Sequence, residues 1–206
     1  MKLIVVRHGQ TDYNARRIMQ GQLDTDLNTE GQRQARALAA VLAEERIDYV
    51  YSSDLKRARL TTAAIMDHHH GVPLIYSEQL RERHFGPWQD QPASLWYEHL
   101  NTIAEPEHFS PEGGESLLVL HSRMASFWKM IRERHAMDTV LISSHGGVTR
   151  SLITHVLDQP LSFRVTVRQD NCCLNIFEGP VDVCLDALCI NNVAHLSVAT
   201  ANERHA

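Results

Sequence analysis

The sequence has no long hydrophobic run and no cysteine pattern of a metal or redox site. Its N-terminal apolar run covers only residues 3–6, far short of the roughly 20 residues of a membrane span and of a signal peptide's core. The four cysteines are Cys172, Cys173, Cys184 and Cys189, and none are spaced as C-x-x-C. This usage favours reduced thiols, so we expect a cytoplasmic protein with no membrane partner.

Excess positive charge is also absent. The formal net charge is −5, which argues against nucleic acid or an anionic membrane as the main partner. Any site for an anion must therefore be a local basic cluster. With 206 residues and 43% hydrophobic composition, the chain suits one well-packed domain, and we expect that domain to cover residues 1–206.

Several catalytic motifs are missing. The chain has no H-E-x-x-H, no G-x-x-x-x-G-K-[ST] and no G-x-S-x-G, which argues against a zinc hydrolase, a P-loop enzyme and a serine hydrolase. The three consecutive histidines 68–70 would point in different directions on a helix, before a stop at Gly71. We therefore expect neither a metal nor a cofactor.

Short apolar runs alternate with amphipathic stretches along the chain. Strands are predicted at residues 3–6, 47–51, 72–76, 139–142, 174–177 and 183–190, and helices after residues 29 and 54 and over 115–134 and 148–157. Thr29 to Gln32 fits a capping box, and Asp54 is predicted to cap the second helix. The alternation predicts an α/β fold, with a mostly parallel sheet covered by helices on both faces.

Residues 86–114 interrupt this alternation. Pro87, Pro92, Pro106 and Pro111 break any long element there, although residues 95–100 can form a short helix. We expect this segment to be a cap loop that selects the substrate.

Polar residues follow four of the predicted strands. His8 comes after the first, Arg57 opens the helix after the second, Glu82 follows the third and His145 the fourth. Alone, His8, Arg57 and Glu82 are more typical of a solvated surface than of a site, and His145 is equally typical of both. Because ligands of open α/β sheets bind beyond the carboxyl ends of the strands, together they predict one site for a small anion.

These residues stand within longer strings that resemble the histidine phosphatases, the superfamily that contains cofactor-dependent phosphoglycerate mutase. The strings are Arg7-His8-Gly9-Gln10-Thr11 with Asn14, Asp26 to Gly31, Ser52 to Ala58, Leu80-Arg81-Glu82, Pro111 to Ser116 and Ser144-His145-Gly146-Gly147. They occur in the family's order as far as about residue 157. The resemblance implies a three-layer α/β/α sandwich of the phosphoglycerate mutase type.

The resemblance also implies roles for the residues. His8 would attack phosphorus and form a phosphohistidine, while Glu82 would protonate the leaving group and later deprotonate water. Arg7, Arg57 and His145 would surround the phosphoryl oxygens. Substrate contacts are expected from Asn14, Gln20, Gly21, Arg59 and Gly146, with the Gly146 and Gly147 amides at a helix start.

Two departures from the mutases favour the small phosphatases. The segment between Glu82 and His145 is shorter, and the tail after His195 has only eleven residues. Both resemble α-ribazole-phosphate phosphatases and fructose-bisphosphatase-like members. We therefore expect a hydrolase of a small phosphate ester, such as α-ribazole phosphate or a sugar phosphate. The alternatives are a cofactor-dependent phosphoglycerate mutase and a non-catalytic module that binds a phosphorylated ligand.

Overall fold

The structure is a computed structural model that describes residues 1–197. The expectation of one domain over 1–206 and the expectation about the tail after His195 both extend to residues 198–206, which lie outside the described residues. No helix within residues 1–197 is long and apolar enough to cross a membrane.

A six-stranded sheet forms the centre of the molecule, with strand order β3-β2-β4-β1-β5-β6. Its strands are β1 (Lys2–Arg7), β2 (Tyr49–Ser52), β3 (Leu74–Tyr76), β4 (Thr139–Ser144), β5 (Leu174–Glu178) and β6 (Asp186–Asn192). The first four are parallel to one another, whereas β5 runs antiparallel to β1 and β6 antiparallel to β5. The mostly parallel sheet predicted from the sequence is confirmed.

Helices cover both faces of this sheet. In chain order the named α-helices are α1 (Asp12–Ala15), α2 (Thr29–Leu42), α3 (Lys56–Met66), α4 (Ala93–Leu100), α5 (Leu117–Arg134) and α6 (Gly146–Val156), of which α2, α3, α5 and α6 cover the sheet. The apolar stripes of α5 and α6 pack on the face that carries Leu3, Val5 and Ile142. Those of α2 and α3 pack on the opposite face, against Ile4 and Val6. The result is the expected three-layer sandwich.

Two predicted helix caps are wrong. Helix α2 is capped by Asn28, whose side chain accepts from the amide of Gly31 at 2.8 Å, so Thr29 is already the first helical residue. Helix α3 begins after Leu55 without any side-chain cap. Asp54 instead accepts from Nε of Arg81 at 2.8 Å, because an ion pair with a fixed guanidinium competes with the cap.

Residues 86–114 hold a 3₁₀ turn (Gly86–Trp88) and helix α4, and we call this segment the cap. Backbone hydrogen bonds join the cap to the loop after α1: Met19 donates to Gln91, Asp90 to Met19, and Ala93 to Arg17. The cap therefore packs over the carboxyl ends of the strands.

The register of β1 and β4 positions the site. Arg7 pairs with Ser144, and the amide of His8 donates to the carbonyl of Ser144 at 2.9 Å. His8 and His145 thus leave two neighbouring strands at the same level.

Candidate active site

A cavity of about 390 Å³ opens at this edge of the sheet. It extends from His8 to the cap, where Trp96, Tyr97 and Leu100 line it. Six arginines line its wall, but Glu82 is the one carboxylate there among the described residues. The arginines are Arg7, Arg17, Arg57, Arg83, Arg150 and Arg164. A strongly basic pocket in an acidic protein fits the local anion site that the net charge requires.

His8 is held in one tautomer. Its Nδ1 lies 2.7 Å from the carbonyl of Gly9, which can only accept, so Nδ1 carries the proton. Nε2 is left with a lone pair and accepts from Nε of Arg57 at 3.3 Å. The side chain is 2% exposed. His8 therefore presents a fixed, unprotonated nitrogen beside a cation.

Arg57 holds the neighbouring loop as well as His8. Its two terminal nitrogens donate to the carbonyls of Leu23 and Gly21, both at 2.7 Å. All three guanidinium nitrogens are thus engaged, and the side chain is 1% exposed. The loop around Gly21 is fixed to the same group that contacts His8.

His145 lies directly behind His8, with ring centroids 5.1 Å apart. Its Nε2 lies 2.8 Å from Oγ of Ser53, which also accepts from the amide of Leu55. The hydroxyl proton of Ser53 has no other acceptor among the described residues, so it goes to Nε2 and places the ring proton on Nδ1. That Nδ1 is buried and has no partner within residues 1–197.

Both histidines are kept neutral by their surroundings. Burial, then the positive charges of Arg57 and Arg7, lowers the pKa of His8 well below its usual range. Burial, then the charge of Arg57, does the same to the pKa of His145. Burial in turn lowers the pKa of Arg57 to about 10, which leaves it cationic at neutral pH.

Arg7 contributes a second unsatisfied donor. One terminal nitrogen donates to the carbonyl of Gln169 at 2.6 Å, whereas Nε is buried and has no partner among the described residues. A Cβ on Gly146 would lie 3.5 Å from this Nε, so the guanidinium sits against the start of α6. Buried orphan donors are costly unless a ligand satisfies them.

Glu82 is bound by two amides. Gly147 donates to its Oε2 and Arg83 to its Oε1, both at 2.9 Å. A Cβ on Gly147 would lie 2.4 Å from Oε1, so only glycine allows this approach. The Gly146 and Gly147 amides lie at the start of α6, as expected, and that of Gly147 binds Glu82.

Four of the five expected substrate contacts line the cavity: Asn14, Gln20, Gly21 and Gly146. Gln20 accepts from Oγ1 of Thr11 at 3.0 Å, and Gly21 has φ +52°. Oε1 of Gln89 accepts from the amide of Gln22 at 2.8 Å, which ties the loop to the cap.

Two predicted site residues do not line the cavity: His145, which is fully buried next to His8, and Arg59. The position of Arg59 separates it from the site. It points away on the exposed side of α3, where its guanidinium lies 5.1 Å from the ring centre of Tyr76. It is two positions after Arg57, and a helix turns residues at that spacing to different faces.

Asn171 contacts the site although no sequence motif pointed to it. Its amide donates to the carbonyl of His8 at 3.0 Å and to Oδ1 of Asn14 at 3.2 Å. Asn171 lies in the loop before β5, beyond the motifs quoted for the resemblance. Ser53 was quoted only as part of a string, without a role.

No three His, Cys, Asp or Glu side chains within residues 1–197 come together as a metal site. Of the consecutive histidines, His69 lies past the end of α3, where its Nε2 contacts the carbonyl of Leu42 at 3.0 Å.

A comparison with models of protein families shows which family the chain belongs to. The model of the histidine phosphatase superfamily (branch 1) matches residues 3–183. The chain belongs to this superfamily. The resemblance read from the motifs is confirmed, and it extends beyond residue 157 into β5.

Named relatives are similar over most of this histidine phosphatase chain. It is 38% identical to "Phosphoglycerate mutase-like protein 4" of Arabidopsis thaliana, over 73% of this chain and 69% of the relative. It is 33% identical to "Phosphoserine phosphatase 1" of Hydrogenobacter thermophilus, over 79% of each. A solved mycobacterial glucosyl-3-phosphoglycerate phosphatase in complex with VO3 superimposes with a TM-score of 0.82 at 28% identity, covering 93% of this chain and 99% of that one.

Proposed function

We propose that this chain hydrolyses phosphate monoesters of small metabolites through a phosphohistidine at His8. The observation that carries the proposal is the fixed, unprotonated Nε2 of His8, 3.3 Å from Nε of Arg57. Membership of the superfamily and the phosphatase names of its relatives support the same reaction.

In the first half-reaction, the lone pair on Nε2 forms a bond to phosphorus and the bond to the ester oxygen breaks. Glu82 gives its proton to the departing alkoxide, which leaves as an alcohol. The hydrogen bond from Nδ1 of His8 to Gly9 stabilises the positive charge that the ring acquires. Splitting the displacement in two lowers each barrier.

Charge on the phosphoryl oxygens is balanced by donors that are already in place. The orphan Nε of Arg7 and the orphan Nδ1 of His145 each gain an acceptor when the phosphoryl group binds. Arg57 adds its charge beside Nε2. Donors fixed before the reaction stabilise the transition state without reorganising.

In the second half-reaction, water attacks phosphorus from the side that the alcohol left. Glu82 takes a proton from this water, and the bond from phosphorus to Nε2 breaks to release phosphate. The two amides on Glu82 hold its carboxylate in place for both proton transfers.

The remaining expectations belong to this proposal. Residues 1–206 form one catalytic domain, and the cap over residues 86–114 selects the ester. The cap lines the cavity with Trp96, Tyr97 and Leu100, which supports that role. The arginines take the part that a metal would play, so the reaction needs none. Four unpaired cysteines support a cytoplasmic protein.

The test follows the fate of the phosphoryl group. Purified protein is given p-nitrophenyl phosphate, and separately 3-phosphoglycerate with a trace of 2,3-bisphosphoglycerate. We expect release of free phosphate from both. Rapid conversion to 2-phosphoglycerate with little free phosphate would instead establish a mutase. Absence of turnover on every ester would establish a binding module.

A further inference from the structure

Three arginines of the cavity wall take no part in the proposed reaction. Arg83 follows Glu82 in the chain, Arg150 lies one turn along α6 from Gly147, and Arg164 lies in the 3₁₀ helix Leu161–Val165. All three line the cavity. We call them the distal arginines.

None of the distal arginines forms an ion pair within residues 1–197. Arg83 is 6% exposed and donates to the carbonyls of Glu115 and Phe109, and Arg150 donates to that of Val167. Arg164 is half-buried, and its guanidinium has no hydrogen bond in the described part of the chain. Carbonyls orient a guanidinium, but they do not neutralise it.

Burial and mutual repulsion make the charges of the distal arginines unfavourable. Burial, then repulsion from Arg164, lowers the pKa of Arg83 to about 10. Burial, then repulsion from Arg150, lowers the pKa of Arg164. The negative charge of Glu107 acts on Arg164 only from beyond ion-pair distance. Partly buried like charges are costly unless an anion joins them.

The phosphoryl group at His8 cannot by itself neutralise the distal arginines. It brings about two negative charges at neutral pH, and Arg7 and Arg57 already face it. Of the distal arginines, Arg150 lies close to the phosphoryl site. Its terminal nitrogen lies 3.7 Å from the position of a Cβ on Gly146, and Nε of Arg7 lies 3.5 Å from the same point. A second anion on the same small molecule can therefore reach the distal arginines.

We propose that the substrate is a phosphate ester with a second anionic group, a carboxylate or another phosphoryl group, which the distal arginines bind. This inference rests on the proposed function and narrows its substrate class. It disfavours α-ribazole phosphate, whose single phosphate would leave the distal arginines unpaired.

The experiment compares esters that differ only in the second anion. The pairs are phosphoserine with phosphoethanolamine, 3-phosphoglycerate with glycerol 3-phosphate, and fructose 1,6-bisphosphate with fructose 6-phosphate. We expect kcat/KM to be roughly 10- to 100-fold higher for the member with the second anionic group in at least one pair, as for one charge-assisted hydrogen bond or more. The first two pairs report a carboxylate and the third a phosphoryl group.

The variant Arg164→Met tests whether the distal arginines bind the second anion. The guanidinium of Arg164 makes no hydrogen bond among the described residues, so the substitution keeps the packing of the stem and removes the charge. The ratio of kcat/KM within the preferred pair should fall by about tenfold, mainly through KM. Arg164→Lys should restore part of the ratio. The matched control Arg36→Met, on the exposed side of α2, should leave it unchanged.

Turnover of p-nitrophenyl phosphate separates the two possible failures. If the wild-type protein does not hydrolyse it, the proposed function is wrong. If it does, but every pair gives a ratio near one, or Arg164→Met lowers both members of a pair equally, the second-anion inference is overturned.

Discussion

Arg57 and His8 share a hydrogen bond, from Nε of the guanidinium to Nε2 of the imidazole at 3.3 Å. Since a guanidinium keeps its protons in proteins, this bond requires an unprotonated Nε2. The contact therefore selects the nucleophilic tautomer before any substrate binds. It also places a positive charge where protonation of the ring would be most unfavourable.

Arg57→Met should raise the pKa of His8. Coulombic repulsion from Arg57 is, after burial, the largest cause of the low pKa. A higher pKa means that the ring becomes protonated and inactive at a higher pH, so the acid limb of kcat/KM should move toward neutrality. NMR titration of the His8 ring measures the shift directly. Arg59→Met on the exposed side of the same helix is the control, and an equal shift there would contradict this account.

His8→Ala should reduce turnover by at least about a thousandfold, because it removes the nitrogen that accepts the phosphoryl group in the proposed reaction. Rapid acid-free quenching should trap an acid-labile, base-stable phosphate on the wild-type protein and none on the variant. His70→Ala, at an exposed histidine, should still be phosphorylated. Wild-type turnover in His8→Ala would remove His8 from the mechanism.

Glu82→Gln should slow hydrolysis of alkyl phosphates more than hydrolysis of p-nitrophenyl phosphate. An alkoxide needs a proton to leave, whereas nitrophenolate hardly does. We expect the two losses to differ by about tenfold or more. The measurement is kcat for both esters in both proteins. Equal losses would mean that Glu82 only binds the substrate.

Gly147→Ala should reproduce much of this effect without changing the carboxylate chemically. The new Cβ would lie 2.4 Å from Oε1 of Glu82 and must displace it. Gly146→Ala, where the nearest atom is 3.5 Å away, should lose much less. Comparing kcat of the two variants on an alkyl phosphate measures how far the position of Glu82 matters. Similar losses would argue against such a role.

Treatment with EDTA should leave activity unchanged, because the arginines supply the positive charge at the phosphoryl site. Vanadate should inhibit competitively with the ester, since it resembles five-coordinate phosphorus. Inductively coupled plasma mass spectrometry of the treated protein gives the residual metal content. Inactivation by chelator that zinc or magnesium reverses would show that a metal takes part.

The sequence predicted the centre of this site well, because two strong physical rules act there. Apolar runs such as residues 3–6 form buried strands, and the carboxyl ends of parallel strands meet at one edge of the sheet. His8, Arg57, Glu82 and His145 could be assigned to that edge before any coordinates. The family strings then supplied roles that spacing alone leaves open.

Contacts decided by tertiary packing could not be predicted in this way. Asp54 has the composition of a helix cap, but its ion pair with Arg81 forms only when β2 and the segment after β3 meet. Asn171 reaches His8 through the antiparallel return of β5, 163 residues along the chain. The distal arginines share no motif, since they come from three separate elements.

The register of β1 with β4 sets a fixed length scale for the chemistry. Neighbouring strands of a sheet lie about 4.8 Å apart, and the rings of His8 and His145 leave adjacent strands at a centroid distance of 5.1 Å. Insertions in the cap or near Arg164 cannot alter that spacing, because backbone hydrogen bonds of the sheet enforce it. Substrate preference can therefore diverge among such proteins while the interatomic distances of phosphoryl transfer stay constant.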